Sequence, residues 1–170
     1  MTENQWLKIF GILVIFLAIE IFRNLIGAGV DNTDRRILFG ALSAVRQVIT
    51  LNLVVFLFLR FSCRIWKPAK TMAVTARYWF LPWAAIVAAG TMVIWISRKF
   101  LLDHFTIGGI VMVFVMVIYI LSMFIPLIGL LRGIEKNFQL QWKNKEPLIL
   151  AVTIVVVQLL AAEGMSMFLK

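Results

Sequence analysis

Charge is scarce in this chain. Only 15% of its residues are Asp, Glu, Lys or Arg, where a soluble domain carries about 25%. Cysteine and histidine are scarcer still, with one of each, Cys63 and His104. A single cysteine excludes an internal disulfide and a Cys-x-x-Cys redox pair. A single histidine excludes bis-histidine haem ligation and a His-x-x-x-His metal pair on one helix. No Asn-x-Ser/Thr sequon occurs, so nothing marks a glycosylated exterior. The expectation is a protein with no metal and no cofactor.

Hydrocarbon takes the place of charge. Hydrophobic residues make up 62% of the 170, and the mean hydropathy is +0.98. That is the composition of an integral membrane protein, and the length suits a single transmembrane domain over 1–170. Lys and Arg number 17 against 8 acidic residues, a net charge of +9. In a soluble protein such an excess suggests nucleic acid. In a polytopic membrane protein it is the basic bias of the cytoplasmic loops, so no nucleic-acid partner is expected.

Five stretches reach the roughly 20 apolar residues that a spanning helix needs. They are 6–26, 37–59, 78–96, 106–131 and 147–168. The runs lack the period-2 alternation of barrel strands, which predicts an all-α bundle of five transmembrane helices. The first stretch is too long for a signal-peptide core and has no small-x-small cleavage site, so it reads as a retained span. The spans show no internal repeat of the kind that inverted-repeat transporters carry.

Loop charge sets the expected orientation. Lys8, Arg60, Arg64, Lys67, Lys70, Arg77, Arg132, Lys136, Lys143 and Lys145 fall on one side. Arg35, Arg36, Arg98, Lys99 and Lys170 fall on the other. The richer side is expected to be cytoplasmic, giving an inner-membrane protein with its N-terminus inside and C-terminus outside. Arg60, Arg64 and Lys67 share one face if the second helix extends inward, and there they would contact anionic lipid. The segment 131–142 repeats Leu131, Ile134, Phe138 and Trp142 at helical spacing. Two arrangements fit it: a short interfacial helix with Phe138 and Trp142 toward lipid, and a continuation of the fourth span.

The candidate site consists of polar groups that ought not to be in lipid. Glu20, Arg23 and Asn24 lie at i, i+3 and i+4 on the first span, hence on one face. Ser43, Arg46, Gln47 and Thr50 share a face of the second, while Asn52 points elsewhere. Gln158 and Glu163 lie in the fifth. At a rise of about 1.5 Å per residue, Glu20, Arg46 and Glu163 all fall in the outer half of the bilayer. A charge at the bilayer centre costs about 3 kcal/mol on insertion scales, so these groups should face protein, a partner or water. The depth count predicts a cross-helix Glu20–Arg46 ion pair. Gly40 with Ala44 is a small-xxx-small pair suited to close helix approach.

Enzyme motifs are missing. There is no His-Glu-x-x-His, no intramembrane aspartyl Gly-x-Gly-Asp and no Asp-rich phosphotransferase motif. The expectation is therefore a non-enzymatic polytopic protein, acting as a membrane subunit of a complex or a small transport-related protein. Its partners would be membrane lipids, further copies of itself or other membrane subunits. The alternative is an intramembrane enzyme or lipid-handling protein that holds a headgroup at the Glu20, Arg23, Asn24, Arg46, Gln47 and Glu163 cluster.

Overall fold

The computed structural model describes residues 3–26, 33–101, 113–114, 117–118, 121–122, 124–142 and 145–168. Among them every regular element is a helix: α1 (Glu3–Ile26), α2 (Thr33–Phe61), α3 (Pro68–Thr75), a π-helical turn (Ala76–Phe80), α4 (Leu81–Leu101), α5 (Phe124–Phe138) and α6 (Glu146–Phe168). Four helical stretches are long and apolar enough to cross a membrane, namely Glu3–Ile26, Arg36–Phe61, Pro68–Ile96 and Glu146–Gly164. Of the expected fourth span, 106–131, residues 106–112, 115–116, 119–120 and 123 lie outside the described residues.

Helix α1 packs on α2, α4 and the π turn, α2 packs on α6, and α5 rests on the π turn and α3. On α2 the buried apolar side chains are Ala44, Leu51, Val55 and Leu59, with Val48 half-buried between them. That 3–4 spacing is the stripe a helix presents to its neighbours. Phe16 of α1 meets Phe80 of the π turn at a ring separation of 4.9 Å. Leu130 and Ile134 of α5, and Leu150 and Ile154 of α6, complete the core.

The outside of the bundle is apolar and part of its inside is polar. On α6, Leu148, Ile149, Val152, Leu159 and Leu160 are more than half exposed. Glu20, Ser43, Thr71, Thr75 and Thr91 are buried. A helix that is apolar all round belongs in lipid or in the core of a large protein.

The third long helix begins at Pro68, ten residues ahead of the expected start at Tyr78. Proline suits a first helical position because its fixed φ is already helical and no partner is needed for the missing N–H. Lys70 and Arg77 lower the local hydropathy and disguise this stretch as a loop. The π turn has a cause in Pro82. Proline has no N–H to give the carbonyl of Tyr78, one turn back, and its ring would crowd that carbonyl. The helix widens there instead, with Leu81 N–H reaching Ala76 O in a π-type bond. Gly129 and Gly133 of α5 fit against the widened turn. A Cβ on Gly129 would lie 3.3 Å from Tyr78 O, and one on Gly133 would meet the Tyr78 ring at 2.6 Å.

Helix α5 runs without a break from Phe124 to Phe138, so 131–138 is a continuation of a longer helix and not a separate one. It ends at Gln139, whose φ of 53° is left-handed, and Leu140 N–H closes back on Glu135 O. This reversal turns Leu140 inward against the core. Phe138 and Trp142 also pack inward, contrary to the expected lipid-facing stripe. Trp142 lies against Phe58 at 6.3 Å, and Phe138 carries Lys70 Nζ over its ring at 5.2 Å.

Candidate functional site

Glu20 is fully buried. Gly40 makes this depth possible, since α2 crosses α1 so closely that a Cβ there would lie 2.8 Å from Ile21 Cα and 3.1 Å from Glu20 O. Arg23, one turn along the same helix, brings Nη2 to 2.8 Å from Glu20 Oε2. From α4, Trp83 Nε1 donates to Glu20 Oε1 at 3.3 Å. Trp83 is itself stacked on Trp79, 6.3 Å between ring centroids. The carboxylate therefore sits between a cation from its own helix and an indole from another.

Asn24 is occupied locally. Its Nδ2 donates to the backbone carbonyl of Glu20 at 2.8 Å, one turn earlier. Such back-bonding satisfies an amide inside a helix and leaves little for a ligand.

Arg46 lies on α2, where Glu20 and Arg23 are the charges that act on it. The direct Glu20–Arg46 ion pair expected from the depth count is not made: Glu20 pairs with Arg23. Residue counting fixes height along the helices but not direction around them, and a partner at i+3 is always within reach. Arg46 is half-buried, its Nε is buried, and that Nε has no hydrogen-bond partner among the described residues. Around it, Gln47 Nε2 donates to Ser43 Oγ at 3.5 Å, and Gln158 Nε2 of α6 reaches Gln47 O at 3.5 Å. Thr50 Oγ1 donates to Arg46 O at 2.8 Å. The polar stripe of α2 thus lies between α1 and α6, with Arg46 its least satisfied member. Glu163 is exposed on α6.

A second polar link joins α2 to α3. Thr75 Oγ1 donates to Asn52 Oδ1 at 2.6 Å, and Asn52 Nδ2 bonds Val48 O at 2.8 Å. Thr75 is buried in a helix where a linker was expected.

The expected basic stripe does not form as one helical face, because α2 ends at Phe61. Arg60 lies over Trp66, 5.0 Å from the ring centroid. Arg64 takes a left-handed φ of 55° at the reversal, and Ile65 N–H closes back on Leu59 O. Lys67 stands immediately before α3. In the same reversal Cys63 is half-buried, and burial, aided by the Glu146 carboxylate, pushes its thiol pKa up.

The residues that composition and spacing overlooked are Trp83, Gly129, Gly133 and Pro82. Each carried a signal. A tryptophan placed within a span needs a partner for its N–H. Gly129 and Gly133 form a Gly-x-x-x-Gly pair. Pro82 lies inside a helix that has no alternative way to absorb it. Among the described residues no group of three or more His, Cys, Asp or Glu gathers to hold a metal. The chain matches no protein-family model, no curated protein and no solved structure.

Proposed function

We propose that this chain is a non-enzymatic, polytopic membrane protein that works as a membrane subunit of a complex or as a small transport-related protein. Arg46 is the point at which it meets an anionic group from outside itself. In this reading five helices span the inner membrane, 106–131 among them. The ten-to-five split of basic residues supports an orientation with the N-terminus inside and the C-terminus outside.

The supporting observation is the state of Arg46. A guanidinium carries five donors and no acceptor. Inside a span it is tolerated when it faces a partner, and such residues mark functional sites. Glu20 is held by Arg23 and Trp83, and Arg46 Nε has no acceptor among the described residues. A carboxylate on a neighbouring subunit's helix would complete it, and buried ion pairs of this kind set which helices associate.

The second reading is lipid handling, with a headgroup phosphate at the same guanidinium. It draws on the partial exposure of Arg46 at the flank of the bundle. A photo-crosslinker at Ile49, three residues from Arg46 and 59% exposed, separates the two in native membranes. A polypeptide adduct that disappears in Arg46→Gln and persists in Arg46→Lys supports the subunit reading. Adducts to lipid alone support the second. A polypeptide adduct indifferent to Arg46→Gln overturns the role given to Arg46.

A further inference from the structure

A groove of about 1100 Å³ opens between α1, α3, the π turn and the end of α5. Lys8, Lys67, Lys70 and Arg77 line it, and among the described residues no aspartate or glutamate does. Lys8, Lys67 and Arg77 are exposed, and none of them forms an ion pair with a described residue. Lys70 is partly engaged, donating to the carbonyl of Asn137.

Beside these cations the groove follows α1 to Ile15, about 10 Å beyond Lys8 at 1.5 Å per residue. Ile12, Val74 and Leu81 form apolar walls. Gly11 leaves the floor open, since a Cβ added there meets nothing within 4 Å.

The two halves make different demands on an occupant. A soluble anion would satisfy the cations and leave the apolar length unused. An apolar helix would fill the length and bury three cations without a counter-charge, which is costly. An amphiphile with a negative head meets both demands. Lysine and arginine stems suit the boundary, lying along apolar surface with the charged head in the polar zone. We propose that this groove binds an anionic phospholipid, with its phosphate at Lys8, Lys67 and Arg77 and the first part of an acyl chain along Gly11 and Ile12. The site rests on the membrane reading and is independent of the role given to Arg46.

The test uses the full chain in nanodiscs of equal phosphatidylglycerol and phosphatidylcholine, with retained lipid counted by native mass spectrometry after release. Phosphatidylglycerol should be retained in preference. Neutralising Lys8, Lys67 and Arg77 to Gln should weaken its retention by about fivefold for each cation removed. Gly11→Leu, which fills the floor without changing charge, should weaken it as well. The pair Arg132→Gln and Lys136→Gln, exposed and outside the groove, should leave it near the wild-type level. Excess glycerol phosphate should not displace the lipid. Equal retention of the two lipids overturns the site. So does retention that follows charge while ignoring Gly11→Leu, which would mean diffuse surface attraction. Displacement by glycerol phosphate also overturns it and identifies a soluble phosphate as the occupant. Gly11→Leu keeps the test open if the triple variant fails to fold.

Discussion

Trp83 Nε1 donates to Glu20 Oε1 across 3.3 Å, joining α4 to α1 through a carboxylate with no exposed surface. With Arg23 at 2.8 Å on the other oxygen, this bond ties the third long helix to the first at a single charged group. Hydrogen bonds to a charged acceptor contribute about 1.5–3 kcal/mol in soluble proteins and less in membranes. Trp83→Phe keeps the ring packing on Trp79 and removes only the donor. It should lower stability by about 1 kcal/mol, measured as unfolding in a mild-detergent and SDS titration. An unchanged midpoint would mean the indole only fills space. Glu20→Gln should cost more, about 3 kcal/mol, because Arg23 loses its counter-charge.

The glycines give a graded series. Gly40→Ala drives a Cβ into the backbone of Ile21 at 2.8 Å, which has no rotamer to yield. Gly133→Ala meets the Tyr78 ring at 2.6 Å. Both should destabilise by about 1–3 kcal/mol, and α1 and α2 should separate in the first case. Gly164→Ala, with nothing within 4 Å, should be neutral or gain up to about 1 kcal/mol from helix propensity. Thermal unfolding of the three variants side by side checks the order. Equal behaviour would contradict the close approach at Gly40.

Cys63 supplies a pH test outside the spans. Burial first, and the Glu146 carboxylate second, raise its pKa. The thiol is then protonated across a wider range, and only the thiolate reacts with maleimide or iodoacetamide. Alkylation of the folded protein should therefore be slow at neutral pH and climb only above the ordinary thiol pKa. Glu146→Gln should shift the profile toward lower pH, and denatured chain should react faster at the same pH. A folded profile matching that of a free thiol would contradict both the burial of Cys63 and the influence of Glu146 on it.

Reporter fusions check the orientation. With N-terminus inside and C-terminus outside, a reporter active only in the cytoplasm should be silent after Lys170 and active when placed in the 61–67 reversal. The opposite pattern would reverse the reading of the basic residues.

Hydropathy was enough to find α1, α2 and α6, because their apolar runs exceed the bilayer thickness without interruption by more than a charge or two. It misplaced the start of the third long helix, because Lys70 and Arg77 lie within the helix and lower the hydropathy of its first turns. The π turn needed a pairing that no linear pattern displays, between Pro82 and the carbonyl of Tyr78. Glu20 and Arg46 were legible as polar residues within spans, because lipid makes any charge conspicuous. Their pairing was not: the depth count predicted a direct Glu20–Arg46 ion pair, and Glu20 pairs with Arg23 instead. Depth follows from counting, whereas direction around a helix depends on packing, here on Gly40 bringing α2 against Glu20. Phe138 and Trp142 show the same limit, since their spacing marks an apolar stripe without saying whether lipid or protein covers it.

The particle mass in mild detergent tests the role of Arg46 most directly. Light scattering or native mass spectrometry of the wild-type chain should give a particle heavier than one copy, containing further copies or another membrane chain. Arg46→Gln should reduce it to a single folded chain with an unchanged unfolding midpoint, and Arg46→Lys should keep part of the larger species. A wild-type particle of one chain and lipid alone would contradict the subunit reading, as would a complex that survives Arg46→Gln intact.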